Sequence, residues 1–331
     1  MIIARTPLRI SLVGGGTDIP AFYEKHVGCV VSFTISKYVY VAINRKFDGR
    51  YRVSYSQTEN VNSVADIQHD LVRETLNLYG RDRLGGLEIV SISDIPGEGS
   101  GLGSSSSFTV GLVTALQKLE WDRISSSPFA RKEHAEFAFR IEAKSNPFVG
   151  KQDHYAAVFG GLNQIYFGEE NVIVRNIVMS EDVLDNFHDH LLLLWTGITR
   201  PANTLLKEQA SSFRDNRGAQ KNGEEMVRLA QELAHKLIAW DISEVGSILR
   251  ENWYLKTRIN PNATTPPIDA WYNVALNNGA QGGKLCGAGG GGFLLFWAPP
   301  DTHKRISHAT GLRKIDFRLD LEGSKVIYNG S

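Results

Sequence analysis

Hydrophobic residues in the first third of the chain fall into short or alternating runs that predict strands. The runs are rich in β-branched and aromatic residues, the types that favour strands. Helical spacing of apolar residues follows at about 66–79, 107–120 and 129–144, and GGLNQIYF with VIVRNIVM resembles a hairpin. The predicted strands are IIARTPLRISLV, CVVSFTISKYVYVAINRKF, YRVSYS and LEIVSIS.

The second half of the chain has its own series of predicted elements. It begins with the apolar strand LLLLWTG at 191–197 and ends with two more strand patterns, GGFLLFWAP and IDFRLDL. We therefore expect an N-terminal domain over 1–185 and a C-terminal domain over 186–331. No sequence period of about 20–50 residues occurs, which argues against repeat architectures. The predicted helices of this half are 201–214, 223–239, 241–255 and 267–278.

Composition narrows the class of protein. The 331 residues suffice for two domains, and 42% hydrophobic with 22% charged residues is ordinary for a globular chain. The 36 basic residues equal the 36 acidic ones, so no overall charge attracts nucleic acid or an anionic membrane. Cys29 and Cys286 have no metal-ligand spacing, so we expect small buried side chains in a reducing compartment. With no signal-peptide or membrane-helix pattern, a cytoplasmic protein is expected.

The segment GEGSGLGSSSS, residues 97–107, lies between a predicted strand and a predicted helix. Glycines allow the backbone to approach an anion closely, and the helix N-terminus adds partial positive charge. Serine hydroxyls can donate to phosphate oxygens or bind Mg2+. The segment therefore predicts a binding loop for the polyphosphate of a nucleotide, with a structural loop as the alternative.

Two familiar glycine motifs fit this segment less well. A Walker P-loop needs Lys-Ser/Thr after its last glycine, and none follows Gly103. A dinucleotide fingerprint can be drawn through Gly99, Gly101 and Gly103 with Glu120 as the ribose acid, but the spacing is Gly-x-Gly-x-Gly.

A second segment, RIEAKSNPFVGKQDHYAAVFGG, contains two acids eleven residues apart, Glu142 and Asp153. Glu142 lies near the end of a predicted helix, which Asn146-Pro147 must terminate. Phosphoryl transfer uses one carboxylate on a metal and another that accepts the proton of the nucleophile. A helix end and a glycine-bearing loop could bring both acids to one pocket, although solvated surface acids are the commoner outcome.

A third segment, TPLRISLVGGGTDIPAFY, ends a predicted strand in three glycines followed by Thr17 and Asp18. Asp18 could accept hydrogen bonds from the hydroxyls of a polyol, or could cap the next helix. Arg9 lies within the strand, and a buried arginine normally needs an anionic partner. Beside Asp153, it would pair with the carboxylate and add positive charge at a transferring phosphoryl group.

The fourth segment, GGKLCGAGGGGFLLF at 282–296, is dense in glycine. Such a run is costly in chain entropy, which favours a specific role over a plain connector. Either its backbone comes close to substrate or phosphates, or it forms a tightly packed β-arch.

Together the four segments resemble the family of galactokinase, homoserine kinase, mevalonate kinase and phosphomevalonate kinase. GLGSSSS is similar to the family's Gly-Leu-Gly-Ser-Ser-Ala nucleotide loop, TPLRISLVGGGTD to its first motif, and GKLCGAGGGG to its glycine-rich third motif. The resemblance covers roughly residues 2–296. It implies an α+β, two-domain fold, with an N-terminal α/β domain like ribosomal protein S5 and a C-terminal ferredoxin-like domain, and a site between them.

The same resemblance implies an ATP-dependent sugar kinase that uses Mg2+. It assigns metal binding to Ser105 and Glu142, the catalytic base to Asp153, its basic neighbour to Arg9 and sugar binding to Asp18. The nucleotide loop would comprise Gly99, Gly101, Leu102, Gly103, Ser104, Ser105, Ser106 and Ser107, and the substrate contacts Gly15, Gly16, Thr17, Asp18, Gly289 and Gly290.

Departures from the family pattern indicate the acceptor. Galactokinases usually have Gly-Glu-His before Thr-Asp, whereas this chain has Gly14–Gly16, which argues against galactose. The chain most resembles the branch that phosphorylates C1 of D-glycero-D-manno-heptose 7-phosphate, on a route to nucleotide-activated heptose for surface polysaccharide, and fucokinases are the rival. A homodimer is left open. Candidate anchors for the 7-phosphate are Lys37, Arg45, Arg200, Lys256, Arg258 and Lys284.

Two alternatives of other classes remain at this point. A nicotinamide-dependent oxidoreductase could use the same glycines, and a sugar-sensing protein could bind without catalysis. The joint presence of Ser105, Glu142 and Asp153 argues against the second.

Overall fold

The computed structural model describes residues 1–80, 85–95, 99–121 and 127–330. Its strands are β1 Ile2–Val13, β2 Gly28–Arg45, β3 Tyr51–Ser54, β4 Thr58–Val61, β5 Leu87–Ser93, β6 Leu162–Phe167, β7 Val172–Asn176, β8 Leu191–Trp195, β9 Gly282–Leu285, β10 Phe293–Trp297, β11 Arg313–Lys314, β12 Leu319–Asp320 and β13 Lys325–Asn329.

Helices lie between these strands. They are α1 Pro20–Tyr23, α2 Asp70–Tyr79, α3 Ser104–Trp121, α4 Pro128–Ser145, α5 Gln152–Phe159, α6 Glu181–Asp189, α7 Ala202–Asp215, α8 Arg217–Ile238, α9 Val245–Ile259, α10 Pro266–Asn277 and α11 His303–Thr310. Across the described ranges, no helix is both long and apolar enough to cross a membrane.

Two sheets organise the molecule. The first follows the order β13-β1-β2-β5-β3-β4, with β12 and β6 also paired to β2 and with β7 paired to β6. Its pairs are antiparallel except for β3 with β5. The second sheet is antiparallel, in the order β11-β8-β10-β9. The predicted α+β class is therefore confirmed.

The pairing of β1 with β2 sets up the site. The register shifts between Pro7 and Leu8, where proline has no N–H to donate to the ladder. Beyond this shift, the backbone N–H of Arg9 donates to the carbonyl of Leu102 at 3.0 Å. The Ser107 hydroxyl donates to the carbonyl of Pro7 at 2.9 Å. The start of α3 is thereby fixed on β1.

One core joins the two sheets. Helix α8 packs against β2 of the first sheet and against α9. The same buried cluster includes Leu8 and Ile10 from the first half and Leu233, Leu249 and Trp297 from the second. These buried groups connect the two halves of the chain through one core.

Most predicted elements are present with shifted ends. The predicted hairpin is confirmed as β6 and β7, and Cys29 and Cys286 are both free and buried. The helix expected at 107–120 begins earlier, at Ser104. Helix α5 was not predicted, and it places Asp153 in its first turn, just after a short loop.

The C-terminal segment departs from the expected division at residue 185. Of IDFRLDL, only Leu319–Asp320 is a strand, and it pairs with β2. Strand β13 then pairs with β1, so the last residues of the chain complete the first sheet. The boundary itself falls inside α6.

Candidate active site

The glycine–serine segment forms a tight turn followed directly by a helix. Gly101 and Gly103 have φ of +76° and +78°, a region that favours glycine. Because α3 begins at Ser104, the serines form its first turn, where backbone N–H groups have no partner within the helix. Gly97 and Glu98, part of the predicted loop, lie outside the described residues.

The four serines have different environments. Ser105 is exposed, whereas Ser104, Ser106 and Ser107 are buried. Ser104 lies 3.1 Å from the hydroxyl of Ser100. The Ser106 hydroxyl donates to Oε2 of Glu142 at 2.7 Å. This first turn therefore presents one exposed hydroxyl, that of Ser105, and the Ser106 hydroxyl ties the turn to the carboxylate of Glu142.

Glu142 is a buried carboxylate held in the charged form. Nε2 of His154, itself fully buried, lies 2.7 Å from the same Oε2. Burial alone would raise the pKa of Glu142, but the neighbouring His154 and the hydroxyls of Ser106 and Ser105 outweigh it and hold that pKa below its ordinary value.

Arg9 and Asp153 form a bidentate pair. Nε of Arg9 donates to Oδ1 of Asp153 and Nη2 donates to Oδ2, both at 2.7 Å. The remaining terminal nitrogen donates to the carbonyl of Gly101 at 2.7 Å. Arg9 is 4% exposed, so this guanidinium links the acid to the glycine turn inside the protein.

The turn after β1 brings Asp18 to the same place. The backbone N–H of Gly16 donates to Oδ1 of Asp18 at 2.9 Å, and the backbone N–H of Gln152 donates to Oδ2 at 3.2 Å. Burial, and then the charge of Asp153, raises the pKa of Asp18 above its ordinary value. Asp18 is thus coupled to the start of α5, the helix that carries Asp153.

These groups surround one cavity of about 410 Å³. It brings the glycine turn and the first serines of α3 together with Glu142, the Arg9–Asp153 pair and the turn containing Asp18. The residues with predicted roles that line it are Arg9, Gly15, Gly16, Asp18, Gly99, Gly101, Gly103, Ser104, Ser105, Ser106, Glu142 and Asp153.

Several predicted contact residues do not line this cavity. The Thr17 hydroxyl is fully buried, donating to Gly14 O and accepting from the N–H of Cys29. Leu102 is buried as well, and Ser107 is bonded to Pro7. Gly289 packs on the backbone of Ala263, and Gly290 packs on Arg200 and Leu205. These residues support the walls of the cavity.

Other residues of the cavity had no recognisable sequence signal. Gln152 and Gln209 each have a buried side-chain amide atom without a hydrogen-bond partner among the residues that the structure describes. The buried hydroxyl of Ser11 has no partner there either. Lys256 and Lys284 also line the cavity, and the sequence alone did not separate them from other cations. His154 follows Asp153 directly, but nothing in the pattern indicated its contact with Glu142.

The donor set at the α3 end fits a hard divalent cation. Mg2+ prefers oxygen ligands, takes one or two from the protein and the rest from water and phosphates. Ser105 and the charged Glu142 are such ligands. Within the described ranges no group of three or more His, Cys, Asp or Glu forms a complete metal cage.

Two family models match this chain and define its class of protein. The description "GHMP kinases N terminal domain" matches residues 68–161, and "GHMP kinases C terminal" matches 233–310, so both halves of the chain are those of a kinase. The chain belongs to the GHMP kinase family. The resemblance drawn from the four segments and the predicted fold are confirmed, and the nicotinamide-dependent oxidoreductase is not supported.

Curated relatives extend the match over the whole chain. D-glycero-alpha-D-manno-heptose 7-phosphate kinase of Campylobacter jejuni is 30% identical over 98% of both chains. L-fucokinase/L-fucose-1-P guanylyltransferase of Bacteroides fragilis is 25% identical over 95% of this chain and 36% of its own length.

Solved structures share the fold. A crystal structure of a D-glycero-D-manno-heptose 1-phosphate kinase from Bacteroides thetaiotaomicron matches with a TM-score of 0.78 and 24% identity over 100% of each chain. Galactokinase from Lactococcus lactis, complexed with galactose, matches with a TM-score of 0.74 and 16% identity over 98% of this chain and 94% of its own.

Proposed function

We propose that this kinase transfers the γ-phosphoryl group of ATP to the anomeric hydroxyl of D-glycero-D-manno-heptose 7-phosphate, giving the 1,7-bisphosphate. The heptose 7-phosphate kinase that is 30% identical over 98% of both chains supports the acceptor. The observation that carries the chemistry is the convergence of the Arg9–Asp153 pair and the Glu142–Ser106 pair on one cavity.

The nucleotide phosphates are assigned to the turn at Gly99–Gly103 and the first turn of α3. Free backbone N–H groups and the helix dipole favour negative charge there. Ser104 and Ser105 add hydroxyl donors at the same end of the helix. No lysine of the Walker type is needed for this mode of binding.

Mg2+ is assigned to the Ser105 hydroxyl and the Glu142 carboxylate. When bound, it would neutralise charge on the β- and γ-phosphates. His154 and Ser106 hold Glu142 in place through bonds of 2.7 Å and keep the carboxylate charged, which suits a cation ligand.

The acceptor hydroxyl is assigned to Asp153. Phosphoryl transfer depends mainly on positioning and on stabilising charge, so a carboxylate fixed at both oxygens is well suited to orient the hydroxyl and take its proton. Arg9, which is bonded to Asp153 and to Gly101 O, places positive charge between the acid and the nucleotide turn. Asp18 and Gln152 would accept hydrogen bonds from other sugar hydroxyls.

L-fucose is the second candidate acceptor. The relative from Bacteroides fragilis carries L-fucokinase in its name and matches 95% of this chain. An acceptor of that kind carries no phosphate, which distinguishes it chemically from the heptose.

A panel of acceptors tests the proposal. Release of ADP is measured with ATP, Mg2+ and heptose 7-phosphate, L-fucose, D-galactose, D-mannose or mevalonate, and the position of the new phosphate is read by phosphorus NMR. We expect kcat/KM for heptose 7-phosphate to exceed every other value by roughly tenfold or more, with phosphate on C1. A higher value for L-fucose would reassign the enzyme, and no turnover with any acceptor would reject the proposal.

A further inference from the structure

Two lysines lie buried at the wall of the cavity. Lys256, on α9, is 4% exposed, and Lys284, on β9, is 1% exposed. Both line the cavity, although they come from the second half of the chain. Buried lysines are rare unless something compensates the charge.

Neither lysine has an acidic partner among the described residues. Nζ of Lys284 donates to the carbonyl of Ser11 at 2.8 Å, and Nζ of Lys256 donates to the carbonyl of Gly287 at 2.5 Å. Each ammonium has three donors, so these bonds satisfy only part of its capacity. In contrast to Arg9, which is bonded to Asp153, the two lysines form no salt bridge in the described ranges, although Asp18 is near enough to attract both of them. Buried charge of this kind is costly unless an anion completes the site.

Their position places this anion near the turn that contains Asp18. Ser11, which accepts from Lys284, is in β1 just before the turn, and its hydroxyl lies under Gly15. Asn252, one helical turn before Lys256 on α9, accepts the N–H of Gly14 at 3.0 Å. Lys284 is therefore anchored beside the turn assigned to the acceptor, and Lys256 lies between that turn and Gly287, which packs on Gly101.

The structure also separates these lysines from the other cations considered for a remote phosphate. Lys256 and Lys284 line the cavity, whereas the remaining candidates do not. Arg45, for example, is partly exposed and pairs with Glu120 at 2.6 Å. The candidates that do not line the cavity are Lys37, Arg45, Arg200 and Arg258.

We propose that Lys256 and Lys284 form an anion subsite that binds the phosphate carried by the acceptor itself. The inference rests on the proposed function, because it takes the occupant of this side of the cavity to be a sugar phosphate. A dianionic phosphate would supply both missing counter-charges with charge-assisted hydrogen bonds. An unphosphorylated sugar would leave both charges buried and unpaired, so the subsite selects for phosphorylated acceptors.

Calorimetric binding of D-glycero-D-manno-heptose 7-phosphate tests this subsite without requiring turnover. The variants are Lys256→Met and Lys284→Met, with Lys304→Met as a matched control, because Lys304 is an exposed lysine outside the cavity. We expect each cavity variant to raise Kd by roughly tenfold or more, because one charged hydrogen-bond donor is lost. The Kd of the control should stay within about threefold of wild type. Thermal unfolding verifies folding, and Lys256→Gln or Lys284→Gln replaces a methionine variant that does not fold.

A second titration distinguishes the acceptor phosphate from the nucleotide phosphates. A non-hydrolysable ATP analogue with Mg2+ should bind wild type and both variants with Kd values within about threefold. If its affinity falls as much as that of the sugar phosphate, the lysines serve the nucleotide and the inference is overturned.

The remaining outcomes separate this inference from the proposed function. Wild-type affinity for the sugar phosphate in both lysine variants overturns the subsite, even if wild type releases ADP with heptose 7-phosphate. Lysine-dependent binding by a wild-type protein that releases no ADP would support the subsite and reject the kinase reaction with that acceptor.

Discussion

Two carboxyl groups that line the same cavity have pKa values shifted in opposite directions. Burial and the charge of Asp153 raise the pKa of Asp18. Glu142 is buried too, but His154 and two serine hydroxyls lower its pKa. Groups whose pKa values are pushed apart usually have different roles. Glu142 suits a cation, whereas Asp18 suits hydrogen bonds with sugar hydroxyls.

The buried lysines predict a dependence of stability on pH. Burial lowers the pKa of Lys284 to about 7 and that of Lys256 to about 8, from 10.5. Lys284 faces Lys256, Cys286, Arg9 and Asp18, and Lys256 also faces Asp153. As pH rises from roughly 7 to 9, the folded state loses these protons while the unfolded state keeps them, so the free energy of unfolding rises.

Urea unfolding of wild type and Lys284→Met across this range checks that prediction. The free energy of unfolding should rise less with pH in Lys284→Met than in wild type, and Lys304→Met should show the same rise as wild type. Equal pH dependence in wild type and Lys284→Met would show that Lys284 is not held with a lowered pKa.

Two glycine-rich loops pack backbone against backbone. A Cβ on Gly101 would lie 2.5 Å from the carbonyl oxygen of Cys286, and a Cβ on Gly287 would lie 2.4 Å from Cα of Gly101. A Cβ on Gly292 would lie 2.3 Å from the carbonyl oxygen of Ser100. Gly287 and Gly292 of the fourth segment therefore allow close packing against the turn proposed to bind the nucleotide.

Replacement of Gly101 by alanine tests this packing. Gly101→Ala combines a positive φ with a contact against backbone, whereas Gly49→Ala has a similar φ of +70° in open space. Both carry the left-handed penalty of about 1–2 kcal/mol. Chemical unfolding should show Gly101→Ala to be less stable than Gly49→Ala by roughly 2 kcal/mol or more. Equal losses would mean that the two loops separate at little cost.

Local sequence patterns predicted the longer elements well, for identifiable reasons. Helices such as α4 and α8 are long enough to show a repeating apolar pattern, and β6 with β7 is a local hairpin. Helix α5 has only eight residues, six of them buried, so it lacks the polar face that makes a helical period visible. The four sequence segments predicted that Glu142, Asp153, Arg9 and Asp18 share one site. The resemblance to a family was needed to assign their roles.

Apart from helix α5, the features that the sequence did not predict are contacts between distant residues. Strand β13 pairs with β1 across more than 300 residues, and β12 is only two residues long, so neither leaves a local signal. Lys256 and Lys284 are ordinary lysines in the sequence, and only the docking of α9 and β9 against β1 places them at the cavity. The cavity is therefore a product of the assembled halves.

The assembled cavity places the carboxylate proposed to orient the acceptor and the turn proposed to bind the nucleotide on opposite ends of one guanidinium. Arg9 contacts Asp153 and Gly101 O at 2.7 Å each. Asp153 is proposed to act on the acceptor hydroxyl while the nucleotide binds independently of this carboxylate.

The substitution Asp153→Asn separates these two functions when ADP release in the presence of heptose 7-phosphate and the Kd of a non-hydrolysable ATP analogue are measured on the same protein. The exposed Asp301, outside the cavity, provides the control Asp301→Asn. We expect kcat to fall by about 100-fold or more in Asp153→Asn while the analogue binds with a Kd within about threefold of wild type. Turnover by Asp153→Asn within about threefold of wild type would contradict the proposed role of Asp153.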